Sequence, residues 1–103
     1  MSVLMEFSMS PIDQGESLSR YVARCIDVVD RSGLPYKLNP MGTIMEGEWD
    51  ACLAVITECF DNLRRDCTRI SCSIKVDFRA GKEGRLESKI ASVEQELGRH
   101  IRQ

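Results

Sequence analysis

YKLNPMGTIMEGE, residues Tyr36 to Glu48, is the stretch from which the fold is read. Two short extended runs, Tyr36–Asn39 and Thr43–Gly47, flank Pro40-Met41-Gly42. Proline fixes φ and lacks a backbone donor, and glycine admits φ > 0, so the tripeptide reads as a tight turn between two strands. The hairpin also gathers a tyrosine, an asparagine, a threonine and two glutamates around one turn.

Outward from the hairpin the chain is nearly symmetric. Downstream, Trp49, Cys52, Leu53, Ile56, Cys59, Phe60 and Leu63 form a broad apolar stripe at helical spacing, with Trp49 read as a core residue. Acids at its start (Glu46, Glu48, Asp50) and bases at its end (Arg64, Arg65) complement the helix dipole. Thr68–Arg79 then alternates for five cycles, with Ile70, Cys72, Ile74, Val76 and Phe78 on one face. Upstream, Leu18, Val22, Cys25, Ile26 and Val29 form the stripe of a first helix. Asp13 to Ser17 supply its acids and capping groups, and Ser32-Gly33 followed by Pro35 stops it. Before that helix, Val3, Met5, Phe7 and Met9 alternate with Leu4, Glu6, Ser8 and Ser10, a half-buried strand that Pro11 ends.

The order is therefore β-α-β-β-α-β, an α+β, ferredoxin-like plan with an antiparallel sheet, followed by an additional C-terminal helix at about 85–100. Residues 1–103 read as one domain. Two helices would cover one sheet face. The other would present Leu4, Glu6, Ser8, Ser71, Ser73, Lys75, Asp77 and Arg79, joined by Ile44 and Glu46 if Met45 points inward. A mixed face of this kind serves as a subunit interface or a ligand shelf. The third helix carries a thin stripe, Leu86, Ile90, Val93 and Leu97, which fits packing on the domain's own flank or on another subunit.

Composition excludes several function classes. Net charge is −2 with bases scattered among acids, against the clustered Lys/Arg of nucleic-acid binding. No apolar run reaches membrane-spanning length, and MSVLMEFSMSP reads as a strand and not a signal peptide. Five cysteines, an odd number without C-x-x-C spacing, read as small buried thiols in a reducing, cytoplasmic compartment. The one histidine, His100, is too few for zinc or for Cys-His and Ser-His nucleophiles. No nucleophile elbow, Walker loop or dinucleotide fingerprint occurs, so no catalytic residue, metal or cofactor is assigned. Glu6, Glu46 and Asp77 could converge on the open sheet face for acid–base work, a metal or a cation. The pattern alone favours reading them as surface ions paired with Lys75 and Arg79. Ser8, Asn39 and Thr43 could hydrogen-bond a ligand or serve only as strand and turn residues.

The segments FSMSP (Phe7–Pro11), SLSRYV (Ser17–Val22), YKLNPMGTIMEGEW (Tyr36–Trp49), IKVDFR (Ile74–Arg79) and LESKIASV (Leu86–Val93) together resemble the small thiamine-binding protein family. The P-M-G-T-x-x-E-G-E and K-V-D-x-R runs are the specific parts. The resemblance implies a ferredoxin-like fold with an extra C-terminal helix, assembled as dimers and tetramers. It implies non-catalytic binding of thiamine or its hydroxymethylpyrimidine portion, with thiamine as ligand and not cofactor. The ligand-binding positions it points to are Ser8, Asn39, Thr43, Glu46 and Asp77. An enzyme using Glu6, Glu46 and Asp77, or a regulatory oligomer without a small ligand, are the other functions this sequence fits.

Overall fold

Alternation builds the first strand. In a computed structural model, which describes residues 2–15, 18–81 and 83–102, β1 runs Ser2–Pro11 with Val3, Met5, Phe7 and Met9 buried and Glu6 and Ser8 exposed. Helix α1 (Ser19–Arg31), strands β2 (Tyr36–Asn39) and β3 (Gly42–Glu48), helix α2 (Trp49–Leu63), strand β4 (Ile70–Asp77) and helix α3 (Arg85–Leu97) follow. All neighbouring strands are antiparallel, in the order β2-β3-β1-β4. Consecutive strands in the chain are thus separated in the sheet except at the hairpin, the split pattern of the ferredoxin-like plan. Of the capping segment before α1, Glu16 and Ser17 lie outside the described residues.

One face of the sheet packs on α1 and α2. Met45 points into that core, fully buried beside Met5, its partner across the β1–β3 ladder. From α1 the buried residues are Tyr21, Cys25, Val28 and Val29, an i, i+4, i+7, i+8 stripe. This stripe is rotated from the expected one: Val22 is exposed at the side and Tyr21 takes the interior. From α2 come Cys52, Val55, Ile56, Cys59 and Leu63. Trp49 and Phe60, expected in the core, are instead about half exposed, at 49% and 43%. Trp49 is the first helical residue, before the helix has crossed onto the sheet. Ile74 and Cys72 of β4 face the helical side yet remain exposed, because α1 and α2 pack over β1 and β3 and leave the edge strand open.

The hairpin glycine has a reason other than the expected positive φ. Gly42 does not lie in the left-handed region. A Cβ built there would stand 3.1 Å from the Phe7 carbonyl oxygen and 3.4 Å from Glu6 Cγ. The turn therefore needs glycine for the close approach of β3 to β1.

The extra helix lies on the other side of the sheet. It contributes no buried residue, and Val93 and Leu97 are about half exposed. The Cα radius of gyration is 15.1 Å, above the roughly 13 Å of a compact 100-residue domain. The ties of α3 to the sheet come from its first two turns, at Arg85, Leu86, Glu87 and Lys89.

Candidate functional site

Where the hairpin turns back, β1, α1 and the turn enclose a pocket of about 120 Å³. Phe7, Ser8 and Met9 form its floor, Val22, Cys25 and Ile26 one wall, and residues Leu38 to Thr43 the other. Thr43 is buried at 4% exposure, while Met41 at 91% and Leu38 at 57% stand at the mouth. The walls are held by contacts outside the pocket. The Arg24 guanidinium of α1 donates to the Asn62 side chain at 2.8 Å and its carbonyl at 2.7 Å, and to Asp66 at 2.9 Å, pinning α1 to α2. The Tyr36 hydroxyl donates to Asp30 at 3.0 Å, tying the start of β2 to α1.

Three of the five residues singled out from the sequence, Ser8, Asn39 and Thr43, come together around this pocket. Glu46 and Asp77 lie elsewhere. They flank Leu4 in one row across β3, β1 and β4, so about two strand spacings, roughly 10 Å, separate them. Both are engaged with α3. The Glu46 carboxylate accepts the backbone N–H of Arg85 at 2.9 Å and of Leu86 at 3.2 Å. These are orphan donors of the helix's first turn, and a carboxylate there also complements the dipole. Glu46 is a helix cap supplied by a strand. Asp77 accepts from Arg85 Nη2 at 2.7 Å and Lys89 Nζ at 3.3 Å. It therefore pairs with α3 and not with Lys75 or Arg79. A third tie joins Lys37 of β2 to Glu87 at 3.2 Å. Glu6 lies beside Gly42 and shares a depression of the outer sheet face with Asp77, Lys75 and Lys89, and among the described residues no group of three or more His, Cys, Asp or Glu side chains is disposed to hold a metal ion.

Val22, Cys25 and Ile26 are pocket residues that sequence reasoning assigned to the core. The signal was present: Val22 and Ile26 form an i, i+4 apolar pair flanking the buried stripe, the second edge of a helix with two neighbours.

Hydrogen bonds from Arg85 and then Lys89 hold the Asp77 carboxyl below its ordinary 3.8. Arg24 does the same for Asp66, and Thr68 for Asp13. A depressed carboxylate contributes stability above its unfolded value, and that contribution is lost as pH falls through the folded one. Thermal melts from about pH 6 down to about pH 2 are expected to hold steady to about pH 5 and then fall progressively, as the unfolded-state carboxyls, ordinarily at 3.8, take up protons first. Asp77→Asn should shallow that fall; an unchanged acid limb would show that the Arg85 pair contributes nothing.

The arrangement defines a class: a ferredoxin-like α+β protein with a small pocket at its central hairpin and a helix capped onto the opposite sheet face. The chain belongs to the thiamine-binding protein family, whose profile matches residues 5–94. It is 38% identical over 98 residues to the UPF0045 protein Mb1933 of Mycobacterium bovis, covering 94% of this chain and 96% of that one. The UPF0045 protein MJ1052 of Methanocaldococcus jannaschii is 34% identical over 91 residues, 88% of this chain and 91% of its own. The crystal structure of MJ1052 superposes with a TM-score of 0.84, covering 91% of this chain and 97% of that chain at 33% identity. A Bacillus cereus domain of unknown function, DUF77, superposes at 0.79 with 27% identity and 93% coverage of both chains. No helix among the described residues is long and apolar enough to cross a membrane.

Proposed function

We propose that the hairpin pocket binds the pyrimidine half of thiamine, without catalysis, in a cytoplasmic homo-oligomer. The observation that carries this reading is the convergence of Ser8, Asn39 and Thr43 on one small, otherwise apolar pocket in a chain of the thiamine-binding family. A volume of about 120 Å³ corresponds to about four waters at roughly 30 Å³ each, the scale of one heteroaromatic ring. Phe7, Met9 and Ile26 supply faces for that ring, and the Thr43 hydroxyl and the Asn39 amide supply partners for its nitrogens and amine, with Ser8 at the rim toward the other sheet face. The thiazolium cation would run outward over Met41. Glu6 borders the adjoining depression, which shares Ser8 and Met41 with the pocket, so Glu6 is the carboxylate beside that mouth. Glu46 and Asp77 serve the site indirectly, by seating α3.

The oligomer half of the reading rests on unsatisfied apolar surface. Val93 and Leu97 on α3 are half exposed, and Leu4 and Ile44 line a depression on the same outer sheet face. A second copy would cover both. Five free thiols accord with a reducing compartment.

Thiamine at ten times its Kd should stabilise the protein by about 1.4 kcal/mol, since a ligand that binds only the folded state adds RT ln(1 + [L]/Kd). Thr43→Val, which keeps shape and removes the hydroxyl, should weaken binding by about 1 kcal/mol, roughly fivefold. Native mass spectrometry of the same samples reads subunit count and bound mass together. An unshifted melt at millimolar thiamine rejects the ligand, and a monomer at micromolar concentration rejects the assembly.

A further inference from the structure

Two of the five cysteines face each other across the helix pair behind the pocket. Cys25 of α1 and Cys59 of α2 are both buried, and the Cys59 thiol stands 3.6 Å from the Cys25 carbonyl oxygen. Cys25 differs from Cys59 in one respect: it lines the hairpin pocket, so a small solute in that pocket reaches it. The remaining thiol of the neighbourhood, Cys72 on β4, is exposed on the open edge strand.

We propose that Cys25 is a peroxide-modifiable site and that Cys59 is its resolving thiol, so that oxidation through the pocket closes a disulfide between α1 and α2. The asymmetry of the pair supports the assignment of roles. The neighbouring Cys59 side chain lowers the Cys25 thiol below its ordinary value, while the Cys25 side chain and burial push the Cys59 thiol up. The thiolate is the nucleophile, and Cys25, the one of the pair at the pocket wall, is the attacking sulfur.

The steps balance with hydrogen peroxide as the oxidant. The Cys25 thiolate attacks one peroxide oxygen, the O–O bond breaks, and the departing hydroxide takes a proton and leaves as water. Cys25 is then a sulfenic acid. The Cys59 sulfur attacks the Cys25 sulfur, the S–O bond breaks, and the hydroxyl leaves as a second water with the Cys59 proton. Two thiols and one peroxide become one disulfide and two waters. The bridge would tie the pocket wall at Cys25 to the core, and nothing in the chemistry depends on what the pocket binds.

The test is peptide mapping of the intact, folded protein after brief hydrogen peroxide treatment and alkylation of remaining thiols. The expected product has lost about 2 Da, is restored by reductant, and yields a peptide joining Cys25 to Cys59. In Cys59→Ser, Cys25 should stop at the sulfenic acid and be captured by dimedone, a gain absent from Cys25→Ser. Cys72→Ser should form the bridge as the native chain does. A bridge that uses Cys72, or oxidation that spares Cys25 in the native chain, overturns the proposal. The native-chain map needs no variant, so a misfolded substitution leaves it decisive.

Discussion

Glu46→Ala is expected to release α3. The substitution leaves the N–H groups of Arg85 and Leu86 without their carboxylate. Charge-assisted bonds to a helix's first turn place the loss at roughly 2–3 kcal/mol. The loss should be local in character, because α3 contributes no buried residue to the core. A 13-residue helix is marginal alone in water, so far-UV circular dichroism should lose about a third of its helical signal while the core still melts cooperatively. Glu46→Gln, which keeps an acceptor but not the charge, should recover part of the signal. Full helicity in the alanine variant would mean that Arg85–Asp77 and Lys37–Glu87 hold the helix unaided. Because Val93 and Leu97 lie on the released element, the same variant should also shift any self-association toward monomer.

Tyr21→Ala should cost more, about 3–5 kcal/mol, as for other large-to-small changes in a packed interior. The ring is 1% exposed. Its hydroxyl donates to Gln14 at 3.0 Å and accepts from Arg20 at 2.6 Å. Against a typical total of about 5–15 kcal/mol, the variant stands near the edge of folding. Tyr21→Phe keeps the packing and should lose only about 1 kcal/mol. Urea titration of the two variants separates cavity from hydroxyl, and equal losses in both would show that the hydrogen bonds, not the packing, make this residue matter.

Tyr21 also shows where the sequence stops being legible. Strands read well because their period is two: Met5 and Met45 point inward, as alternation and the Pro40–Gly42 turn require. Helix faces read less well, because an apolar residue beside the stripe looks like one within it. Val22 and Tyr21 exchanged places, since only the packing of α1 against both β1 and the hairpin decides the rotation. Trp49 begins the apolar stripe of α2, but its place at the helix's first turn leaves it half in solvent. Ile74 and Cys72 alternate correctly, but alternation cannot reveal that two helices stop short of the edge strand.

Among the candidate site residues, Ser8, Asn39 and Thr43 are gathered by the ladder and the turn, both visible in the sequence. Glu46 and Asp77 share a sheet face as expected. Their partners arrive with α3, whose docking depends on Arg85, Leu86 and Lys89, residues distant in sequence from either acid. Cys25 was legible as a buried thiol, but its position at a pocket wall emerges only when the hairpin and α1 are set side by side.

Strand β3 serves two masters by parity. Thr43 and Met45 face the pocket and the core, while Ile44 and Glu46 face the sheet surface that carries α3. A frame shift of one residue in the hairpin would exchange the two sets, turning Thr43 away from the pocket and Glu46 into the core in the same event. Loop length at Pro40–Gly42 is therefore under a double constraint, and lineages or libraries that vary this protein should tolerate substitutions in the turn long before they tolerate an insertion or deletion there.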